Sequence, residues 1–212
     1  MRRRIMRGWY FASILVLAGL AAAQTEFSGE IVNHRHPGGG PTKVYFGKDK
    51  IRFDSPGGKD PSGSGAVIFD LNNHNWVVLM AERRMYMEMP TQMMEKKGMY
   101  NFFRTGDVEN ACSDWLKLPA NQGGTCHKVG NETVNGRSTV KYEGTNSKGE
   151  SGAVWLDPKL RFPVKWEGKN EDGGELRNIQ EGSQPASLFE IPPGYQKFDM
   201  GSMMQKMGQQ PQ

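Results

Sequence analysis

Along most of the chain, apolar and polar residues alternate with a period of two, which predicts short strands rather than helices. Residues 26–34 make a first strand with weak alternation, and 36–41 are a Gly/Pro loop. Residues 43–46 and 50–54 flank the turn Gly47-Lys48-Asp49, predicting a hairpin with Ile51 and Phe53 on one face. A Gly/Pro/Ser loop, 55–64, leads to strands at 66–69, 75–80 and 84–89. The second of these is apolar on both sides, so it is expected to be central and covered on both faces. The third alternates strictly, with Met85, Met87 and Met89 on one side and Arg84, Tyr86 and Glu88 on the other.

Pro90 ends that strand, and Thr91 is placed to cap a short helix running to about Phe103. Residues 105–124 read as irregular. A second set of strands begins near Cys126, and Asn135-Gly136 is a two-residue hairpin signal. Strands at 138–142, 152–156, 162–167 and 175–181 follow, joined by Asn146 to Gly149, by Asp157-Pro158-Lys159 and by a polar turn ending in Gly173-Gly174. The pattern predicts a mainly β fold with few helices: an antiparallel meander of about eleven strands.

The final part of this run has a recognisable order. A strand ending in Asp157-Pro158 leads to one carrying Pro163-Val164-Lys165, then a further strand, then Phe189-Glu190-Ile191-Pro192-Pro193-Gly194-Tyr195. This resembles the C-terminal half of the LolA-like family, periplasmic lipoprotein carriers and their uncharacterised relatives. The run from Gly130 to Arg137 is a second point of resemblance. The resemblance covers most of residues 26–198 and lies in order and spacing. It implies a curved, incomplete barrel whose concave side is plugged by helices around an apolar cavity. It also implies a periplasmic, uncharacterised branch of that family. The carriers have a helix ahead of the first strand, whereas here the first strand follows the leader almost directly, and no functional residue of theirs carries over.

Composition changes the picture at the N-terminus. Arg2, Arg3, Arg4 and Arg7 precede an apolar stretch and Ala21-Ala22-Ala23, a cleavable signal peptide over residues 1–23 with export to periplasm or medium. The chain has 27 Lys and Arg against 23 Asp and Glu; the leader holds four Arg and no acid, leaving 23 of each. The mature protein is therefore near neutral, and no nucleic acid is expected as a partner. Residues 24–199 form the domain, and 200–212 a Met/Gln-rich flexible tail. In an oxidising compartment Cys112 and Cys126 are expected to form a disulfide.

No nucleophile elbow, zinc-protease helix or dinucleotide fingerprint is present, so no catalytic residue is assigned and an enzyme is not expected. Methionine is the unusual feature: Met80, Met85, Met87, Met89, Met93, Met94 and Met99, then the tail group. Packed core is one account, and an adaptable lining for acyl chains is a second. Cu(I) binding by the row Met85, Met87, Met89 is a third. A single strand, however, holds successive same-face sulfurs about 6–7 Å apart, too far for one ion without ligands from elsewhere. The expected function is a non-enzymatic binding protein holding a hydrophobic small molecule or lipid acyl chain. The alternatives are a copper-binding module and a structural or interaction protein with a packed core. One parity on each strand nominates the cavity lining: Trp76, Val78, Met80, Met85, Met87, Met89, Val164 and Trp166. No resident metal or cofactor is assigned, a monomer is expected, and an envelope protein or membrane surface is a further contact.

Overall fold

The computed structural model describes residues 25–34, 40–55, 64–89, 106–169 and 172–198. The leader, the helix expected over 91–103 and the tail lie outside the described residues. Among the described residues twelve strands form one sheet: β1 (Phe27–Asn33), β2 (Thr42–Phe46), β3 (Lys50–Ser55), β4 (Gly65–Asp70), β5 (Asn75–Met80), β6 (Met85–Met89), β7 (Thr125–Val134), β8 (Arg137–Thr145), β9 (Ser151–Asp157), β10 (Phe162–Glu167), β11 (Gly173–Glu181) and β12 (Gln196–Lys197). Their order is β12-β6-β5-β4-β3-β2-β1-β11-β10-β9-β8-β7, with β12 and β7 as unclosed edges. Two meanders, β1–β6 and β7–β11, are thus joined through the antiparallel pair β1–β11. The twelfth strand is the short β12, which pairs parallel to β6 after the Pro192-Pro193-Gly194 turn.

Turn chemistry explains the connections. Asn135 (φ 50°) and Gly136 (φ 77°) take the left-handed conformations that a tight two-residue hairpin needs. Asp157 is buried; its Oδ1 accepts from the backbone N–H of Lys159 (2.8 Å) and Leu160 (3.0 Å), closing the Asp-Pro turn. Its other oxygen accepts from the Arg137 guanidinium, which also reaches Glu181 at 2.8 Å.

The main core gathers apolar residues of both meanders. Phe27 stacks on Phe46 (4.5 Å between centroids), and Phe162 meets Phe46 edge-on at the same distance. Val44, Ile51, Phe69, Leu71, Trp155, Leu160, Val164 and Leu176 complete this cluster, and Ile51 and Phe53 share a face as expected. A second cluster, Ala66, Ile68, Leu79 and Phe189, forms where the 3-10 turn Ala186–Phe189 covers the alternate parity of β4 and β5. Arg52 pins that turn by donating to the Leu188 carbonyl at 2.7 Å. β5 is not central: it lies third from the sheet edge, and Leu79 is its one buried residue. Its apolar character on both sides serves two different clusters near an edge rather than a mid-sheet position.

Residues 106–124 are ordered where an irregular stretch was expected. Asp107 accepts from the Glu109 N–H (2.9 Å), capping a 3-10 turn that runs into helix α1 (Ala111–Lys117). α1 packs on a third cluster formed by Val108, Val140, Tyr142 and Leu156, with Cys112 and Cys126 against it.

Candidate functional site

Two surfaces gather chemistry. On the first, antiparallel register places Trp76 opposite Met89, Val78 opposite Met87, and Met80 opposite Met85. The same register sets Phe69 opposite Trp76 and Val67 opposite Val78. Six of the eight nominated residues therefore share one face, in continuity with the core through Phe69, whose ring stacks on Trp76 at 5.8 Å. All six are half-buried. The Trp76 Nε1 atom is buried, yet finds no hydrogen-bond partner among the described residues.

The other two nominated residues go elsewhere. Val164 is 1 % exposed and belongs to the main core. Trp166 is separated from it by an irregularity in β10. The register with β9 shifts between Pro163 and Lys165, so Trp166 stands opposite Val154, a residue packed against the third cluster. A bulge adds one residue to a strand and breaks the simple alternation on which the parity reading rests.

Trp166 instead lines the second surface, a groove of about 610 Å³ between α1 and strands β8–β10. Trp115 and Leu118 contribute from the helix side, and Tyr142, Val154, Leu156 and Pro163 from the sheet. Glycines of the sheet stand beside the rings of this groove. Gly144 pairs with Gly152 across β8 and β9, and Trp115 Cη2 is 3.4 Å from where a Gly144 Cβ would stand. Trp166 lies against Gly174, where an added Cβ would come within 2.5 Å of its ring.

Covalent and polar ties hold the helix wall. Cys112 of α1 is disulfide-bonded to Cys126 of β7 (Cα–Cα 5.4 Å), which fits an oxidising compartment. The Tyr142 hydroxyl donates to the Val108 carbonyl at 2.7 Å, and the Asn121 amide to the Trp115 carbonyl at 3.1 Å. Burial raises the Tyr142 phenol above its ordinary range, so it stays a neutral donor.

Charge at the mouth is largely compensated. Asp114 pairs with Lys117 (3.1 Å), Glu143 with Lys141 (2.9 Å) and Glu167 with Lys165 (2.7 Å). Such a site selects on apolar surface and shape more than on ligand charge. Hydrophobic periodicity alone misses the groove, because its helix is too short to show a period. The signals were Trp115-Leu118 beside a cysteine and the glycines Gly144 and Gly152.

No family model and no curated sequence matches the chain. Among solved structures, an uncharacterised conserved protein of Thermus thermophilus is similar at a TM-score of 0.52 and 8% identity, over 82% of this chain and 90% of that one. MucB of Pseudomonas aeruginosa, solved in complex with MucA, is similar at 0.46 and 16% identity, over 79% of this chain and 56% of that one. A LolA superfamily protein of Nitrosomonas europaea is similar at 0.33 and 10% identity, over 79% of this chain and 90% of that one. The Thermus protein shares the fold.

Proposed function

We propose that the protein is a non-enzymatic binding protein of the periplasm or extracellular medium, taking a hydrophobic small molecule or acyl chain in the groove beneath α1. One observation carries the reading. A groove of about 610 Å³, floored by Tyr142, Val154 and Leu156 and flanked by Trp115 and Trp166, is built on a helix tethered by a disulfide. That volume lies within the roughly 300–1,000 Å³ of small-molecule pockets, and tethering limits the ordering cost of binding. The reading moves the ligand from the methionine face to the opposite meander, and of the nominated residues it keeps Trp166. The cysteines, engaged in a disulfide, offer no nucleophile.

The test is native mass spectrometry of the mature chain, exported with its own leader and purified without detergent, followed by titration with N-phenylnaphthylamine. A bound mass of lipid or small-molecule size, lost on denaturation, is expected. Trp115→Ala and Trp166→Ala are each expected to weaken the probe several-fold, about 1 kcal/mol for a lost aromatic contact. Probe binding that appears only on unfolding, or that survives both substitutions, overturns the reading.

A further inference from the structure

The methionine face carries a different chemistry, independent of the groove. Along one strand, successive same-face sulfur-bearing residues lie about 6–7 Å apart, too far to hold one ion without a ligand from elsewhere. The register supplies what a single strand lacks: Met80 of β5 stands directly opposite Met85 of β6, and Met87 follows on the same face. Directly opposed residues bring their Cβ atoms to about 4.5–5.5 Å. Three unbranched arms, each with three rotatable bonds, then start from the corners of one small triangle.

We propose that Met80, Met85 and Met87 form a thioether site for a soft monovalent ion, Cu(I). Three observations favour it over packing alone. Among the described residues, none of the four face methionines belongs to, or packs against, a core cluster. Both cysteines are held in the disulfide, so no thiolate is available to compete for a soft ion. Thioethers form no disulfide and remain ligands in the oxidising compartment that the cystine fits. The preference for Cu(I) follows from donor softness: three neutral sulfurs suit a polarisable monovalent ion and offer nothing to Mg²⁺ or Ca²⁺, which need oxygen. Among the described residues no cluster of His, Cys, Asp and Glu provides a rival site for a harder ion. Met89, opposite Trp76, extends the same row by one thioether beside an aromatic face.

The experiment is competition for Cu(I), kept reduced with ascorbate, between the full mature chain and bicinchoninate. Disulfide integrity is checked by mass, and sulfur coordination by X-ray absorption. The wild-type chain is expected to withdraw one equivalent of Cu(I) into an all-sulfur shell. The triple variant Met80→Leu/Met85→Leu/Met87→Leu, which conserves volume, is expected to lose roughly 10–100-fold in affinity, the range commanded even by outer partners of a metal site. Its denaturation midpoint and its N-phenylnaphthylamine affinity are expected to stay unchanged, which separates this site from the groove. A control replacing Met203, Met204 and Met207 with Leu is expected to bind as wild type does. Undiminished affinity in the triple variant, loss confined to the control, or a wild-type chain that withdraws no Cu(I) each overturns the proposal.

Discussion

Trp155 and Trp76 differ in what their indole nitrogens meet. Trp155 is 3 % exposed and donates to Glu132 at 2.6 Å, while the Lys141 and Lys165 ammonium groups stand 5.0 and 4.4 Å from its ring centroid. Trp76 Nε1 is buried with no partner among the described residues. Removing a satisfied donor takes a hydrogen bond from Glu132, leaving it only Lys141 at 3.5 Å, and weakens two cation–π contacts, whereas removing an orphan relieves a desolvation cost. Both Trp→Phe changes delete the same atoms, so their difference isolates the surroundings. Trp155→Phe is expected to cost about 2 kcal/mol more than Trp76→Phe in urea denaturation. Equal costs would mean that Trp76 Nε1 is satisfied after all.

α1 shows how a short element becomes a wall. Seven residues form too few hydrogen bonds to stand alone, so the helix depends on its Asp107-capped lead-in, its packing on Tyr142 and Leu156, and the tether Cys112–Cys126. Replacing both cysteines with serine is expected to lower stability by about 3 kcal/mol. It is also expected to weaken the groove probe, because the wall bearing Trp115 loosens. A folded double-serine variant with unchanged probe affinity would show that the helix is not part of the binding surface. The same dependence explains what could be read in advance. The hairpins were legible because Asn135-Gly136 and Asp157-Pro158 encode their own geometry. The shared face of Trp76, Met80, Met85 and Met87 was legible because β5 and β6 have no bulge. α1 was not, since its order comes from a distant strand and a disulfide rather than from its own period. Trp166 stands off the expected face because the parity reading runs unbroken through Pro163, which cannot donate to the ladder and sits at the register shift that sets Trp166 opposite Val154.

At the scale of the molecule, several carboxylates join separate strands, and their ionisation ties the sheet to pH. The Trp155 indole N–H holds the Glu132 carboxyl below its ordinary value, helped by Lys141. The Asn135 amide does the same for Glu175, linking the β7–β8 hairpin to β11, with Arg177 adding to it. Lys159 and Arg137 lower Glu181, which joins the Asp-Pro turn and β8 to the end of β11. Each group has a lower pKa folded than unfolded, so on acidification the unfolded chain takes up protons first. The stability they contribute is full above the ordinary Glu value of 4.5 and is lost as pH falls through the depressed folded values. The urea midpoint is therefore expected to fall steadily between pH 5 and pH 3, that range bracketing an ordinary carboxylate by roughly one unit. A triple change of Glu132, Glu175 and Glu181 to Gln is expected to lower the midpoint at pH 7 and to flatten its decline below pH 5. A wild-type midpoint that holds constant from pH 5 to pH 3 would remove these three carboxylates from the forces that hold the β7–β11 meander together.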